Sequence, residues 1–187
     1  MSKSKGNVID PLEMIDKYGA DAFRAALIFG VKEGADFHLS DEKIIGMRNF
    51  TNKIWNIGRF LWLLGQAPPL ANGLIGRSST ANEQAAAKII GELKTEFKTA
   101  ERNYRKQMRG YRFSAALGEV YEFLWHRFAD IYIERLKDSL RTGNIEARKA
   151  MERIYFENLR LLHPFMPFVT EAVWQVFHGD KETILNN

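Results

Sequence analysis

From Met47 onward the chain places Phe50, Ile54, Ile57, Leu61 and Leu64 at intervals of three and four residues. Only an α-helix, at ~3.6 residues per turn, carries such a series on one side. A helix with one apolar stripe must be covered by other elements, and the rest of the sequence supplies helices to do it. Ser40 is the N-cap candidate of the first long helix, with Asp41 and Glu42 in the dipole-favoured first turn and Gly65 at its end. Residues 65–79 hold Pro68, Pro69, Gly73 and Gly76 and read as a loop. Thr80 with Glu83 fits a capping box, opening a helix that runs to about Gly110. A third helix is predicted over 113–142, with Phe113, Leu117, Val120, Leu124, Phe128 and Ile131 as its core stripe. A fourth spans 145–162 with Met151, Ile154 and Leu161 inward, and a short one spans 169–178 after Pro164 and Pro167.

The first forty residues differ. Val8-Ile9 reads as a brief extended piece, Asp10-Pro11 as a helix start, and Gly19 and Gly30 as stops of two short helices. Period-2 alternation is scarce. The expected fold is all-α, an antiparallel helix bundle preceded by a short α/β-like connecting segment. The expected division is a connecting region over 1–39, a bundle over 40–179 and a loose tail over 180–187.

Twenty-seven Lys and Arg against 23 Asp and Glu give a net charge of +4, which permits an anionic partner without demanding one. The absence of cysteine excludes disulfides, thiol nucleophiles and Cys-ligated zinc. No apolar run approaches the ~18 residues of a membrane span, and the first residues carry no apolar core of a secretion signal, so a cytoplasmic protein is expected.

Several groups of residues invite chemistry. On the helix after Thr80, Lys98, Arg102, Arg105 and Arg109 share a flank beside the core flank of Ile90, Leu93, Phe97, Ala100, Tyr104 and Met108. Arg112 and Tyr111 follow in the turn. Such a stripe either tracks a phosphate backbone or is a solvated face. Arg48, Asn49, Asn52, Lys53 and Asn56 form a polar cluster on the first long helix, suited to base edges. For Asn52 and Asn56 a structural role is expected instead, with Trp55 anchoring packing beside them. His126, Asp130 and Glu134 recur every four residues; ion pairs with Arg127 and Arg135 are expected there, and no metal site. Phe165, Phe168, Trp174 and Phe177 are expected to close one end of the core. Ser2, Lys3, Ser4, Lys5 and Gly6 could wrap phosphates, but do not form a Walker A loop.

The run Met1-Ser2-Lys3-Ser4-Lys5-Gly6-Asn7-Val8-Ile9-Asp10-Pro11, continued by Tyr18-Gly19-Ala20-Asp21-Ala22-Phe23-Arg24, resembles the signature loop of class I aminoacyl-tRNA synthetases. Within that class, residues 47–56, 122–130 and 162–171 are similar to the anticodon-binding domain of the valyl enzymes; the isoleucyl and leucyl enzymes share the layout. The resemblance implies an ATP-dependent ligase that joins valine to its tRNA through valyl-adenylate. It implies Lys3 as the catalytic lysine on the ATP phosphates, within a loop of Met1, Ser2, Lys3 and Ser4, with Mg²⁺ accompanying the ATP. It implies tRNA as the partner, with Arg48, Asn49, Lys53, Lys98, Arg102, Arg105, Arg109 and Arg112 as binding candidates. The first lysine of the signature and the His-x-Gly-His motif of the nucleotide-binding domain are not in this sequence. The chain is therefore expected to bind tRNA as a monomer, hold no cofactor tightly and not to catalyse alone. Two other readings are a fragment of an isoleucyl or leucyl enzyme, and a free-standing basic RNA-binding bundle.

Overall fold

The computed structural model describes residues 10–31, 34, 39–66, 80–179 and 182–186. The signature loop with Lys3, the Val8-Ile9 segment, the 67–79 loop and the Thr80 cap lie outside the described residues and side chains. The described elements are α1 (Pro11–Tyr18), α2 (Ala20–Ile28), α3 (Asp41–Gln66), α4 (Thr80–Arg109), α5 (Phe113–Glu122), a π-helical stretch (Phe123–Ile133), α6 (Glu134–Arg141), α7 (Ile145–Leu162), α8 (Pro167–His178) and a 3-10 turn (Ile184–Asn186). No strand occurs among them, and no helix is long and apolar enough to cross a membrane.

The caps expected at Asp10 and Ser40 form. Asp10 Oδ1 accepts from Leu12 N–H at 2.8 Å with Pro11 in the first turn of α1, and Ser40 Oγ accepts from Lys43 N–H. Asn144 Oδ1 accepts from Ala147 N–H at 2.9 Å to open α7.

Cross-helix contacts set the directions. Asn103 bonds Glu119, Phe97 meets Phe123, and Glu92 meets Arg135, so α4 runs antiparallel to the α5–α6 rod. Tyr155 reaches Ile54, and Arg148 lies against Gly65, so α7 opposes α3. Phe156 and Arg160 meet Phe177 and Trp174 respectively, so α8 opposes α7. Successive long helices thus alternate in direction, with α5–α6 and α7 between α3 and α4.

The stripe that opens the sequence is the core of α3: Met47, Phe50, Ile54, Ile57 and Leu61 are buried. The third long helix departs from its expected register. It stays continuous, but its middle eleven residues wind in wider π turns. Wider turns lengthen the period, so Leu124, Phe128, Tyr132, Leu136 and Leu140, four apart, all face inward. Tyr132 takes the core place expected of Ile131, which is half-buried, and Phe113 at the start of the rod is exposed.

Within the described residues 182–186, Ile184 is buried and its N–H donates to Glu171. Helix α2 packs firmly against the bundle. Asp21 of α2, itself buried, accepts from Phe168 and Val169 N–H at 3.2 and 2.6 Å, the open amides of α8's first turn. Burial pushes the Asp21 carboxyl up, against the pull of those two amides. Phe29, just after α2, meets Tyr121, which also packs on Phe50 and Trp125.

At the centre, the Tyr155 hydroxyl donates to the Ile54 carbonyl at 2.6 Å, and its ring stacks on Phe128. Gly58 makes this possible. A Cβ there would sit 2.8 Å from Val173 Cγ1 and 3.0 Å from the Tyr155 hydroxyl. Gly58→Ala is expected to destabilise the chain by about 1–3 kcal/mol through overpacking. Gly58→Ala with Val173→Ala should recover part of that loss, read as the midpoint of urea unfolding; a double variant no better than the sum of the singles would refute the assigned clash.

Candidate nucleic-acid interface

Helix α4 carries its charges in sorted order. Two of its carboxylates, Glu92 and Glu96, turn toward the neighbouring rod. Glu96 takes the guanidinium of Arg127, with Nη2 to Oε2 at 3.2 Å, and the Tyr132 hydroxyl at 2.6 Å. Glu92 pairs with Arg135 at 2.7 Å. Burial works to raise the Glu96 carboxyl, but the hydrogen bonds from Arg127 and Tyr132 outweigh it and hold it below the ordinary 4.5. Burial and the same carboxylate push the Tyr132 phenol up to about 12.

The cations of α4 turn outward. Lys98, Arg102, Arg105, Lys106 and Arg109 are exposed and line one shallow concavity with Glu101. Arg105 is held within the helix by Glu101 at 2.7 Å. Lys98, Arg102, Lys106 and Arg109 have no acidic partner among the described residues. Lys98, Arg102 and Arg109 span eleven positions, ~16 Å along the axis, so successive cations stand about one or two helical turns apart. A lysine or arginine stripe of this kind neutralises several phosphates at once.

The stripe continues into the α4–α5 turn. Arg112 is exposed there, and so is Tyr111, at 80%, with its ring edge-on to Phe113 at 6.2 Å. Tyr111 sits at φ +58°, left-handed backbone that a side chain adopts at ~1–2 kcal/mol.

The candidates on α3 fare differently. Arg48 and Asn49 are exposed. Lys53 is engaged: its ammonium donates to Asp130 at 2.9 Å and lies over the Trp125 ring. Asn52 and Asn56 are exposed rather than bonded across helices, and Trp55, expected to anchor packing, is 43% exposed. The reason is register: the buried series Phe50, Ile54, Ile57 leaves 52, 55 and 56 on the outer side. Trp55, Arg59 and Trp62 with Val173, Val176 and Phe177 of α8 line an apolar groove that pattern reading missed, because its two walls are over a hundred residues apart in sequence.

The ion pairs expected around His126 form with different partners. Arg127 and Arg135 reach α4, His126 lies 3.6 Å from Asp130, and Glu134 takes Lys137 at 2.9 Å. No group of three or more His, Asp or Glu among the described residues could hold a metal ion. Phe165 and Trp174 close the core end as expected, whereas Phe168 is 64% exposed.

Known proteins resemble this arrangement along its length. Residues 91–187 match the anticodon-binding domain of tRNA ligase, and residues 1–40 match the class I tRNA synthetases (I, L, M and V). Valine–tRNA ligase of Geobacter sulfurreducens is 44% identical over 188 residues, which cover 97% of this chain and 20% of that protein. The same enzyme of Rhizobium meliloti is 41% identical over 193 residues, 99% of this chain and 19% of the relative. The chain thus spans about a fifth of the length of the curated relatives it matches. Among solved structures, the ternary complex of Agrobacterium radiobacter K84 agnB2 LeuRS, tRNA and LeuAMS aligns with a TM-score of 0.68 and 21% identity, over 98% of this chain and 21% of that one. At that identity the likeness concerns the fold.

The Glu96 pairing has a pH signature. Its folded-state pKa is depressed, so its stabilisation is present above the ordinary 4.5 and is lost as pH falls through the lower folded value. The stability gap between the parent and Glu96→Gln is expected to shrink as pH falls from about 6 to about 3. Thermal unfolding across that range checks this, and a constant gap would refute the pairing's assigned role.

Proposed function

The chain belongs to the anticodon-binding domain family of the tRNA ligases, and from that premise we propose that it is the tRNA-binding part of a valine–tRNA ligase. The observation that carries this reading is the similarity to valine–tRNA ligases over nearly the whole chain. The outward cation stripe of α4 supports it physically, because a bundle that carries unpaired cations beside an exposed aromatic suits an RNA backbone.

The parent protein would join valine to its tRNA in the cytoplasm, using ATP with Mg²⁺. Lys3, with Met1, Ser2 and Ser4, would meet the ATP phosphates as pyrophosphate leaves; a movable ammonium there offsets the charge that builds on the departing group. Residues 1–39 would connect the catalytic domain to the bundle of 40–179. The tRNA contacts would come from Lys98, Arg102, Arg109 and Arg112, with Arg48 and Asn49 on a separate face. Arg105 and Lys53, already held by Glu101 and Asp130, would contribute less. The chain by itself would bind tRNA as a monomer and form no valyl-adenylate.

Filter binding of this chain to valine tRNA, beside the same tRNA with its anticodon replaced, tests the reading at low and at physiological salt. Tighter binding to the valine anticodon that persists at physiological salt is expected. Equal binding to both that collapses with salt would mean that only counterion release acts here, and would remove the valine assignment from this bundle. Valine-dependent ATP–pyrophosphate exchange by the chain alone is expected to be absent.

A further inference from the structure

The turns at the two ends of the α5–α6 rod are built alike. After α6, Gly143 N–H donates to Leu140 and Asn144 N–H to Ser139, with Gly143 at φ +80°. After α4, Tyr111 N–H donates to Met108 and Arg112 N–H to Gln107, with Tyr111 at φ +58°. Both are the same helix-ending motif, whose left-handed position is ordinarily glycine for want of a Cβ. The first turn fills it with glycine. The second fills it with tyrosine, although glycine stands next door at 110.

The exchange of places has local consequences. At Gly110 a Cβ would lie 3.3 Å from Arg112 Nε, so glycine at 110 lets the Arg112 side chain fold back over the turn. At 111 the left-handed backbone turns the ring outward. The ring is 80% exposed, its one ring neighbour is the edge of Phe113, and it covers no part of the core. An aromatic held in strained backbone, packed only against the edge of Phe113 among the described residues, is free to take something else. What lies around it is positive: Arg109 before, Arg112 after, and the outward stripe of Lys98, Arg102 and Lys106 leading up to it.

We infer that the α4–α5 turn is a stacking site for an unpaired RNA base, with the Tyr111 ring as platform and Arg109 and Arg112 on the adjoining phosphates. The inference rests on the RNA-binding reading above and adds a site to it. Phe113 braces the ring edge-on and leaves one face open to a base. The fixed turn keeps the ring oriented before binding, which limits the ordering that binding demands.

The test uses this chain with two probes, an RNA hairpin with an open single-stranded loop and a blunt RNA duplex of equal length. Tyr111→Ala and Tyr111→Gly are expected to weaken hairpin binding by about 5- to 100-fold, with little change on the duplex. Tyr111→Phe should restore it, because the ring and not the hydroxyl stacks. Tyr111→Gly is also expected to raise the melting temperature by a few degrees, since glycine takes the left-handed backbone freely. Arg102→Glu separates the two ideas. If it weakens hairpin binding while Tyr111→Ala does not, the stripe binds RNA and the stacking site is overturned; the ring would then be left for a protein surface. If the parent binds neither probe, the RNA reading fails and this inference with it. A melting temperature lowered by Tyr111→Gly would make the ring a structural brace and overturn the proposal.

Discussion

The bundle turns on one crossing. At Gly58 the backbone of α3 comes close enough for Tyr155 of α7 to reach the Ile54 carbonyl and for Val173 of α8 to pack alongside. The same tyrosine ring stacks on Phe128 of the α5–α6 rod. One side chain therefore touches α3 and the rod from α7, and the missing Cβ of one glycine admits α8 beside it. Dispersion contacts at such a point are individually small and collectively large, and the crossing ties α3, α7, α8 and the rod together. Burial pushes the Tyr155 phenol far up, so the hydroxyl stays a donor at any ordinary pH.

From that placement the charge on α4 follows. The helix lies against α5–α6 and α7, and its carboxylates at 92 and 96 find Arg135 and Arg127 across the interface. Such half-exposed pairs add little stability by themselves. Their larger effect is directional: they turn two carboxylates inward, leaving Glu101, held by Arg105, as the acid in the concavity of Lys98, Arg102, Lys106 and Arg109. The net charge of +4 is small for the chain.

Much of this was legible in residue spacing. The three-and-four stripe of α3, the core and basic flanks of α4 and the caps at Asp10 and Ser40 all rest on local periodicity and hydrogen bonding, which a sequence displays directly. The misses have a shared cause. Ile131 yields to Tyr132 because wide turns change the period, and nothing in the composition announces a π-helical stretch. Trp55 and Phe168 are large and apolar, so they read as core, but the register of their neighbours faces them outward. The link from Asp21 to the first turn of α8 crosses 147 residues and has no local trace. Tyr111 was readable as an aromatic beside arginines; its left-handed backbone was not.

The proposed reading has the outward flank of α4 meet RNA while cations paired within the bundle do not. Amine acylation of this chain, read residue by residue by mass spectrometry with and without valine tRNA, tests it most directly. tRNA is expected to shield Lys98 and Lys106, while Lys137, paired with Glu134, and Lys149 on α7 react unchanged. Unaltered labelling of Lys98 and Lys106 in the presence of bound tRNA would contradict it.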